Sequence, residues 1–288
     1  MATYDRTSED TGNVLSLDHV NLTIGDQQAA TLFYIVGLGL TRDPYLMVGL
    51  ENMWLNAGRQ QFHTPTRPNA PQVMRGRIGI VVPDVGELLV RLGGVADQLA
   101  DTKFAYKEHG DHVDVTCPWG NEFIVTGPVD GFRATFGVPY VEFGVPADAA
   151  SGIARFYDEI LSARVDLAEV RRSPAAIVQM GPDQSMIFRE DAEASARDYD
   201  GHHIAVYLAD FSGPHAALAA RGLVSEESNA HQYRFKDIVD LESGAVLYEL
   251  EHEVRSMAHP MYGRGLVNRE PMVNLGNYRR GSEFLIVG

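Results

Sequence analysis

The sequence predicts an α+β protein built from four βαβββ units, and three observations carry that prediction. The order strand, helix, strands recurs four times across residues 15–253. Leu17-Asp18-His19-Val20 through Leu32-Phe33-Tyr34 lies without a gap on Tyr140-Val141-Glu142-Phe143 through Arg155-Phe156-Tyr157, and Ile80-Val81-Val82-Pro83-Asp84 lies on Val206-Tyr207-Leu208-Ala209-Asp210. A turn-rich break from Gly127-Pro128 to Gly131 then separates the second unit from the third.

In the first unit, Leu15–Ile24 alternates Leu17, His19, Asn21 and Thr23 against Asp18, Val20, Leu22 and Ile24, a strand with one polar face. Ala29, Leu32, Phe33 and Val36 recur at helical spacing within Asp26–Val36, and Gly37 and Gly39 stop the helix. Strands follow at Leu40–Arg42, Tyr45–Asn56 and Gln60–His63, then a linker from Pro65 to Pro71. The second unit reads as a strand at Arg77–Val82, a helix at Val85–Leu92, and strands at Lys103–Glu108, His112–Thr116 and Asn121–Val125. The third has a strand at Val138–Val145, a helix at Ala149–Ile160, and strands near Ala163–Val170, Ala175–Met180 and Ser185–Arg189. The fourth runs from His203 through a helix at Phe211–Ala220 to strands at Gln232–Asp237 and Ala245–Glu251.

With 288 residues, 45% of them hydrophobic and 22% charged, the chain is long and apolar enough for one or two cores. No run approaches the roughly 20 apolar residues of a membrane helix, and Met1–Asn13 lacks an apolar signal core. The one cysteine, Cys117, excludes an intramolecular disulfide and reads as a buried strand-end thiol. A cytoplasmic protein with no membrane partner is expected. The formal charge of −15 repels phosphate backbones, so nucleic acid is not an expected partner. Phosphate-binding glycine loops, CxxC pairs and nucleophile elbows are absent from the sequence.

The Tyr199-Asp200-Gly201-His202-His203 stretch sets two histidines at the mouth of a strand, where a metal ligand fits and where plain surface histidines also occur. The βαβββ units, Leu17-Asp18-His19-Val20, His203-Ile204-Ala205 and the closing Gly244-Ala245-Val246-Leu247-Tyr248-Glu249 resemble the vicinal oxygen chelate superfamily. That group includes glyoxalase I, methylmalonyl-CoA epimerase, drug-resistance proteins and extradiol dioxygenases. The resemblance implies curved, cup-forming mixed sheets in two paired-unit domains, as in the extradiol enzymes. Residues 15–128 would form the first and 138–253 the second, between a disordered lead over 1–14 and a C-terminal arm over 254–288.

Carried over residue by residue, the resemblance makes Glu142, His203 and Glu249 the metal ligands, with Tyr140 a rival to Glu142 and Glu251 a rival to Glu249. It implies a divalent ion, Fe(II), Mn(II), Zn(II) or Ni(II), and a small-molecule substrate bound through two oxygens. The extradiol pattern has a histidine where Glu142 stands. In the first half the resemblance offers His19 and places Gln61 at a ligand position, with His63 two residues along the same strand face. These three are candidate substrate or metal contacts, but Arg77 stands where a ligand is expected and opposes a cation, so the first domain reads as a structural partner of the second. His202 and His231 are candidate proton carriers, and Tyr248 and Arg234 candidate substrate contacts. The plain alternatives are a loop histidine at 231 and a solvated edge around Arg234-Phe235-Lys236. Trp54 and Trp119 read as packing anchors. The arm bearing Met261, Tyr262, Leu266 and Val267 is expected to wrap over its own domain or a neighbouring subunit, and a homodimer is expected.

Overall fold

The computed structural model describes residues 4–46 and 51–268. The first unit comprises β1 (Val14–Asn21), α1 (Gln27–Ala30), which runs on as a π-helical segment over Thr31–Gly37, β2 (Thr41–Arg42), β3 (Asn52–Ala57) and β4 (Gln60–Pro65). The second has β5 (Gly76–Val81), α2 (Val85–Val95), β6 (Ala105–Glu108), β7 (Val113–Thr116) and β8 (Glu122–Thr126). The third has β9 (Tyr140–Val145), α3 (Ala150–Leu161), β10 (Val165–Val170), β11 (Ser173–Gln179) and β12 (Ser185–Glu190). The fourth has β13 (His203–Leu208), α4 (Ser212–Ala219), β14 (Val224–Asn229), β15 (Gln232–Val239) and β16 (Val246–Ser256).

Local chemistry explains the repeat. Asp26 accepts a hydrogen bond from the Ala29 amide at 2.7 Å, Asp84 from Glu87 at 3.1 Å and Asp210 from Gly213 at 3.1 Å. Asp84 and Asp210, matched in the sequence repeat, and Asp26 in the first unit thus satisfy donors left open at helix starts. In the π-helical segment the Leu38 amide reaches back five residues to the Phe33 carbonyl at 2.9 Å. Phe33 and Tyr34, consecutive in sequence, are both fully buried there.

Two open eight-stranded sheets result, ordered β14-β15-β16-β13-β1-β4-β3-β2 and β10-β11-β12-β9-β5-β8-β7-β6. Each is mixed: β1 with β4 and β5 with β8 are parallel, whereas β3 with β4, β7 with β8 and β15 with β16 are antiparallel. The first unit therefore shares a sheet with the fourth, and the second with the third. At the level of the sheets this differs from the consecutive pairing expected from the extradiol enzymes, because β1 takes β13 as neighbour and β5 takes β9. A further difference is β14, whose Ser225-Glu226-Glu227-Ser228 lacks the apolar alternation that marks a strand; it is an edge, where polar residues belong. The lead expected to be disordered is partly tied down: Gly12 bridges Ala163, and the Asn13 amide side chain donates to the Leu161 carbonyl at 3.0 Å.

The chain divides into two compact units. Among the described residues, one holds 18–46, 51–143, 199–204 and 263–268. Its core stacks Phe33, Tyr34, Phe62 and Phe123 with ring centroids 4.8–6.1 Å apart. The other holds 4–17, Gly144–Asp198 and Ala205–Tyr262. Its core sets Tyr157 against Phe188 at 5.3 Å and Phe235 face to face with His252 at 4.2 Å.

His252 is fully buried, its Nδ1 2.7 Å from the Leu250 carbonyl and its Nε2 bonded to the Tyr157 hydroxyl. One neutral tautomer satisfies both contacts, and burial pushes the imidazole pKa down to about 3. The unfolded chain takes up this proton near pH 6.5 and the native protein does not, so stability is fully present above that pH and falls as pH drops from about 6.5 towards 3. The expected contribution to the slope is about 1.4 kcal/mol per pH unit. Urea unfolding of the wild type and His252→Gln across that range checks it; equal slopes would refute it.

No helix among the described residues is long and apolar enough to cross a membrane.

Candidate metal site

Strand register gathers the candidate site. In the parallel β1/β4 pair, His19 stands opposite Gln61 and Asn21 opposite His63; across the antiparallel β3/β4 pair, Trp54 faces His63 and Asn56 faces Gln61. Alternation sends all six side chains to one face and sends Val20, Leu55 and Phe62 to the other, where Phe62 meets Tyr34. β13 brings His203 beside β1, its ring 5.6 Å from that of His19. One ligand nitrogen from each of His19, His63 and His203 lies within 4.8 Å of the others. His19 is 1% exposed and His203 8%.

The surroundings hold these rings by hydrogen bonds and stacking. His19 Nδ1 lies 2.9 Å from Asp18 Oδ2, which leaves Nε2 as its coordinating atom. His63 Nδ1 lies 2.6 Å from Asn21 Nδ2, and its Nε2 is bonded to Asn52 Oδ1. Trp54 stacks on His63 at 4.0 Å and meets His19 edge-on at 4.9 Å, so it borders the cluster and is more than a packing anchor.

Gln61 donates to Asn56 Oδ1 at 2.7 Å and to Asp43 Oδ2 at 3.1 Å. Asp43 is buried and takes Arg264 Nη2 at 2.6 Å. Burial pushes the Asp43 carboxyl up, but hydrogen bonds from Arg264 and from the Tyr45 and Leu46 amides outweigh it and hold the group below the usual carboxylate range. The segment after Arg264 continues this strap: the Asn56 amide side chain donates to the Val267 carbonyl at 2.9 Å, and Asn268 exchanges hydrogen bonds with Gly58 at 2.8 and 3.1 Å. The arm thus wraps over its own unit; the strand-like run Phe284–Val287 lies outside the described residues. Arg264→Ala is expected to cost about 1–3 kcal/mol by stranding a buried carboxylate. Adding Asp43→Asn is expected to restore much of that loss in a denaturant double-mutant cycle, and strict additivity would refute the pairing.

The remaining sequence candidates fall elsewhere. Glu142 is on β9 in the second sheet, opposite Arg77, its carboxylate 4.0 Å from Arg77 Nε; Tyr140 shares that strand. Glu249 on β16 pairs with Lys236 Nζ at 2.5 Å, and Glu251 is bonded by Arg234. Of the expected triad, Glu142 is on β9 and His203 on β13, strands of different sheets, and each of the two carboxylates has a basic side chain as partner. Tyr248 takes the opposite parity to Glu249 and packs near Phe188 in the core, 6.1 Å between rings, which removes it from the substrate contacts. Arg234 is engaged by Glu226, Glu251 and Glu253. His231 closes the β14–β15 hairpin, its amide on Asn229 Oδ1 at 2.8 Å. His202 is buried beside Phe143, its Nδ1 2.6 Å from Asp200 Oδ1. Sequence reasoning missed Asp18, Asn21, Asn52 and Asp43, of which only Asp18, adjacent to His19, carried a local signal.

No protein-family model and no curated protein matches this sequence. Among solved structures, glyoxalase I from Zea mays superposes with a TM-score of 0.59 at 13% identity, over 84% of this chain and 92% of that one. A point variant of the same maize enzyme gives 0.60 at 14% over the same shares. A Bacillus subtilis subsp. subtilis str. 168 protein, provisionally assigned as a dioxygenase, gives 0.57 at 15% identity over 85% and 86%. The chain has the vicinal oxygen chelate fold.

Proposed function

We propose that this chain is a divalent-metal enzyme of the vicinal oxygen chelate type, acting on a small molecule that offers two oxygen atoms, with His19, His63 and His203 as the ligands. The observation that carries the reading is the approach of three imidazole nitrogens to within 4.8 Å of one another. Three neutral imidazoles suit Zn(II), Fe(II) or Ni(II) better than Mn(II), which favours carboxylate and water. Such an ion would polarise substrate oxygens as a Lewis acid in lyase or isomerase chemistry, or supply dioxygen chemistry if it is iron. The chain's own part is to orient. Asp18 holds the proton of His19 on Nδ1, Asn52 and Asn21 fix the plane of His63, and Trp54 walls one side with an aromatic surface. A cytoplasmic homodimer without nucleic-acid partners belongs to the same proposal, supported by the acidic composition and the extended arm.

A second reading, a metal-free protein that binds or sequesters a small molecule on the same face, is favoured by one observation: both ring nitrogens of His63 are engaged by amide side chains. Elemental analysis of protein purified without chelator separates the two. The enzyme reading expects tightly held divalent ion; metal-free protein that binds an aromatic ligand with undiminished affinity would sink it.

A further inference from the structure

A second cluster of ligating side chains lies on the β6–β7 hairpin at the edge of the other sheet. Glu108 pairs with Val113 and Lys107 with Asp114, and the His109 amide donates to the His112 carbonyl at 2.8 Å. His109 and His112 are therefore the last cross-strand pair before the Gly110-Asp111 turn, and their side chains share a face. The rings stack with centroids 4.6 Å apart and 15° between planes. Asp114, two residues beyond His112, returns to that face. Its Oδ2 lies 3.0 Å from His109 Nε2 and its Oδ1 3.4 Å from His112 Nε2. One ligand atom from each of His109, His112 and Asp114 lies within 4.8 Å of the others.

The arrangement of the two carboxylates is what distinguishes this cluster from ordinary surface pairing: Asp114 faces both rings, and Asp111 backs His112. His112 Nδ1 lies 2.6 Å from Asp111 Oδ1, so that carboxylate backs the ring on the side away from Asp114. With the ring proton on Nδ1, the lone pair of His112 Nε2 points at a carboxylate oxygen of Asp114. In that tautomer two lone pairs face each other there, a juxtaposition that a shared metal ion relieves. A carboxylate that fixes the far nitrogen of an imidazole is also the usual companion of a metal-ligating histidine. Lys107, opposite Asp114, opposes a cation locally, while the chain's charge of −15 favours one at longer range.

We infer that His109, His112 and Asp114 form a second, surface-exposed site for a first-row divalent transition-metal ion, with Asp111 as a positioning residue behind His112. Two imidazoles and one carboxylate leave coordination positions to water and match Zn(II), Ni(II) or Cu(II). The side chains of His109 and His112 are about one-third exposed and that of Asp114 is 50% exposed, so the site fills directly from solvent. It is independent of the site proposed above.

The test is titration of chelator-stripped full-length protein with Zn(II) against a chromophoric competitor near neutral pH. Wild type is expected to bind an ion that the His109→Ala/His112→Ala variant binds at least roughly tenfold more weakly, and that His203→Ala retains. Asp111→Asn is expected to weaken it by about 10–100-fold, the span typical of lost outer-shell partners, with the circular dichroism spectrum unchanged. Should the double variant fail to fold, Asp114→Asn carries the same expectation of weakened binding. Zn(II) uptake equal in stoichiometry and affinity in wild type and the double variant would overturn the inference, as would a wild type that takes up none.

Discussion

His203→Ala is expected to lose tightly bound metal altogether, and with it whatever turnover depends on the ion. The imidazole comes from the buried start of β13, and no other group of the described residues is placed to restore a third nitrogen to His19 and His63. Asp18→Asn, which keeps the ligand but weakens the acceptor behind it, is expected to reduce metal affinity by about 10–100-fold. Glu142→Gln is expected to leave metal content unchanged, since that carboxylate sits beside Arg77 in the second sheet. Metal analysis in a background lacking His109 and His112 keeps surface binding out of the count. Full occupancy in His203→Ala would refute this cluster and the triad expected from sequence alike, since His203 belongs to both; loss of metal in Glu142→Gln would return the site to that triad.

Gly76→Ala is expected to be among the most damaging single substitutions in the scaffold. A Cβ at Gly76 would stand 1.8 Å from the Glu142 carbonyl oxygen and 2.9 Å from Phe143 Cα, both backbone atoms. β5 cannot retreat, because it is bonded to β9 on one side and to β8 on the other. Overpacking of this kind, relieved only by breaking a ladder, costs roughly 3 kcal/mol or more. Gly94→Ala is the control: nothing lies within 4 Å of its Cβ and it sits in α2, so that change is expected to stabilise by about 0.5–1 kcal/mol. Urea midpoints decide, and a Gly76→Ala midpoint near wild type would contradict the close approach of β5 and β9.

How much of this was legible in the sequence follows from what is local and what is not. The repeat, the helix starts at Asp84 and Asp210, and the shared face of Gln61 and His63 all arise from interactions within a few residues or from simple alternation, whereas His19 joins that face only through the β1/β4 register. His203 was legible as a strand-start histidine for the same reason. Its partners were not. The pattern of β13 is the same whether it joins β1 or β9, and the choice is made by contacts distant in sequence, of which Gly76 against Glu142 is one. Asp43, Asn21 and Asn52 were invisible because isolated polar residues carry no period; they acquire meaning only once β1, β3 and β4 are in register. β14 was missed because an edge strand needs no apolar alternation.

The pairing of β1 with β13 also dictates a timetable. Asn13 and Asp210, hydrogen-bonded to each other at the ends of these two strands, are 197 residues apart in the chain. At ribosomal rates of about 5–20 residues per second, β1 waits roughly 10–40 s for its neighbour to be made. Throughout that interval one edge of β1 is bare backbone, the kind of surface that recruits chaperones or stray strands. Premature termination within the fourth unit would therefore yield a polypeptide with an open seam through the sheet that carries His19 and His63, instead of a smaller working protein.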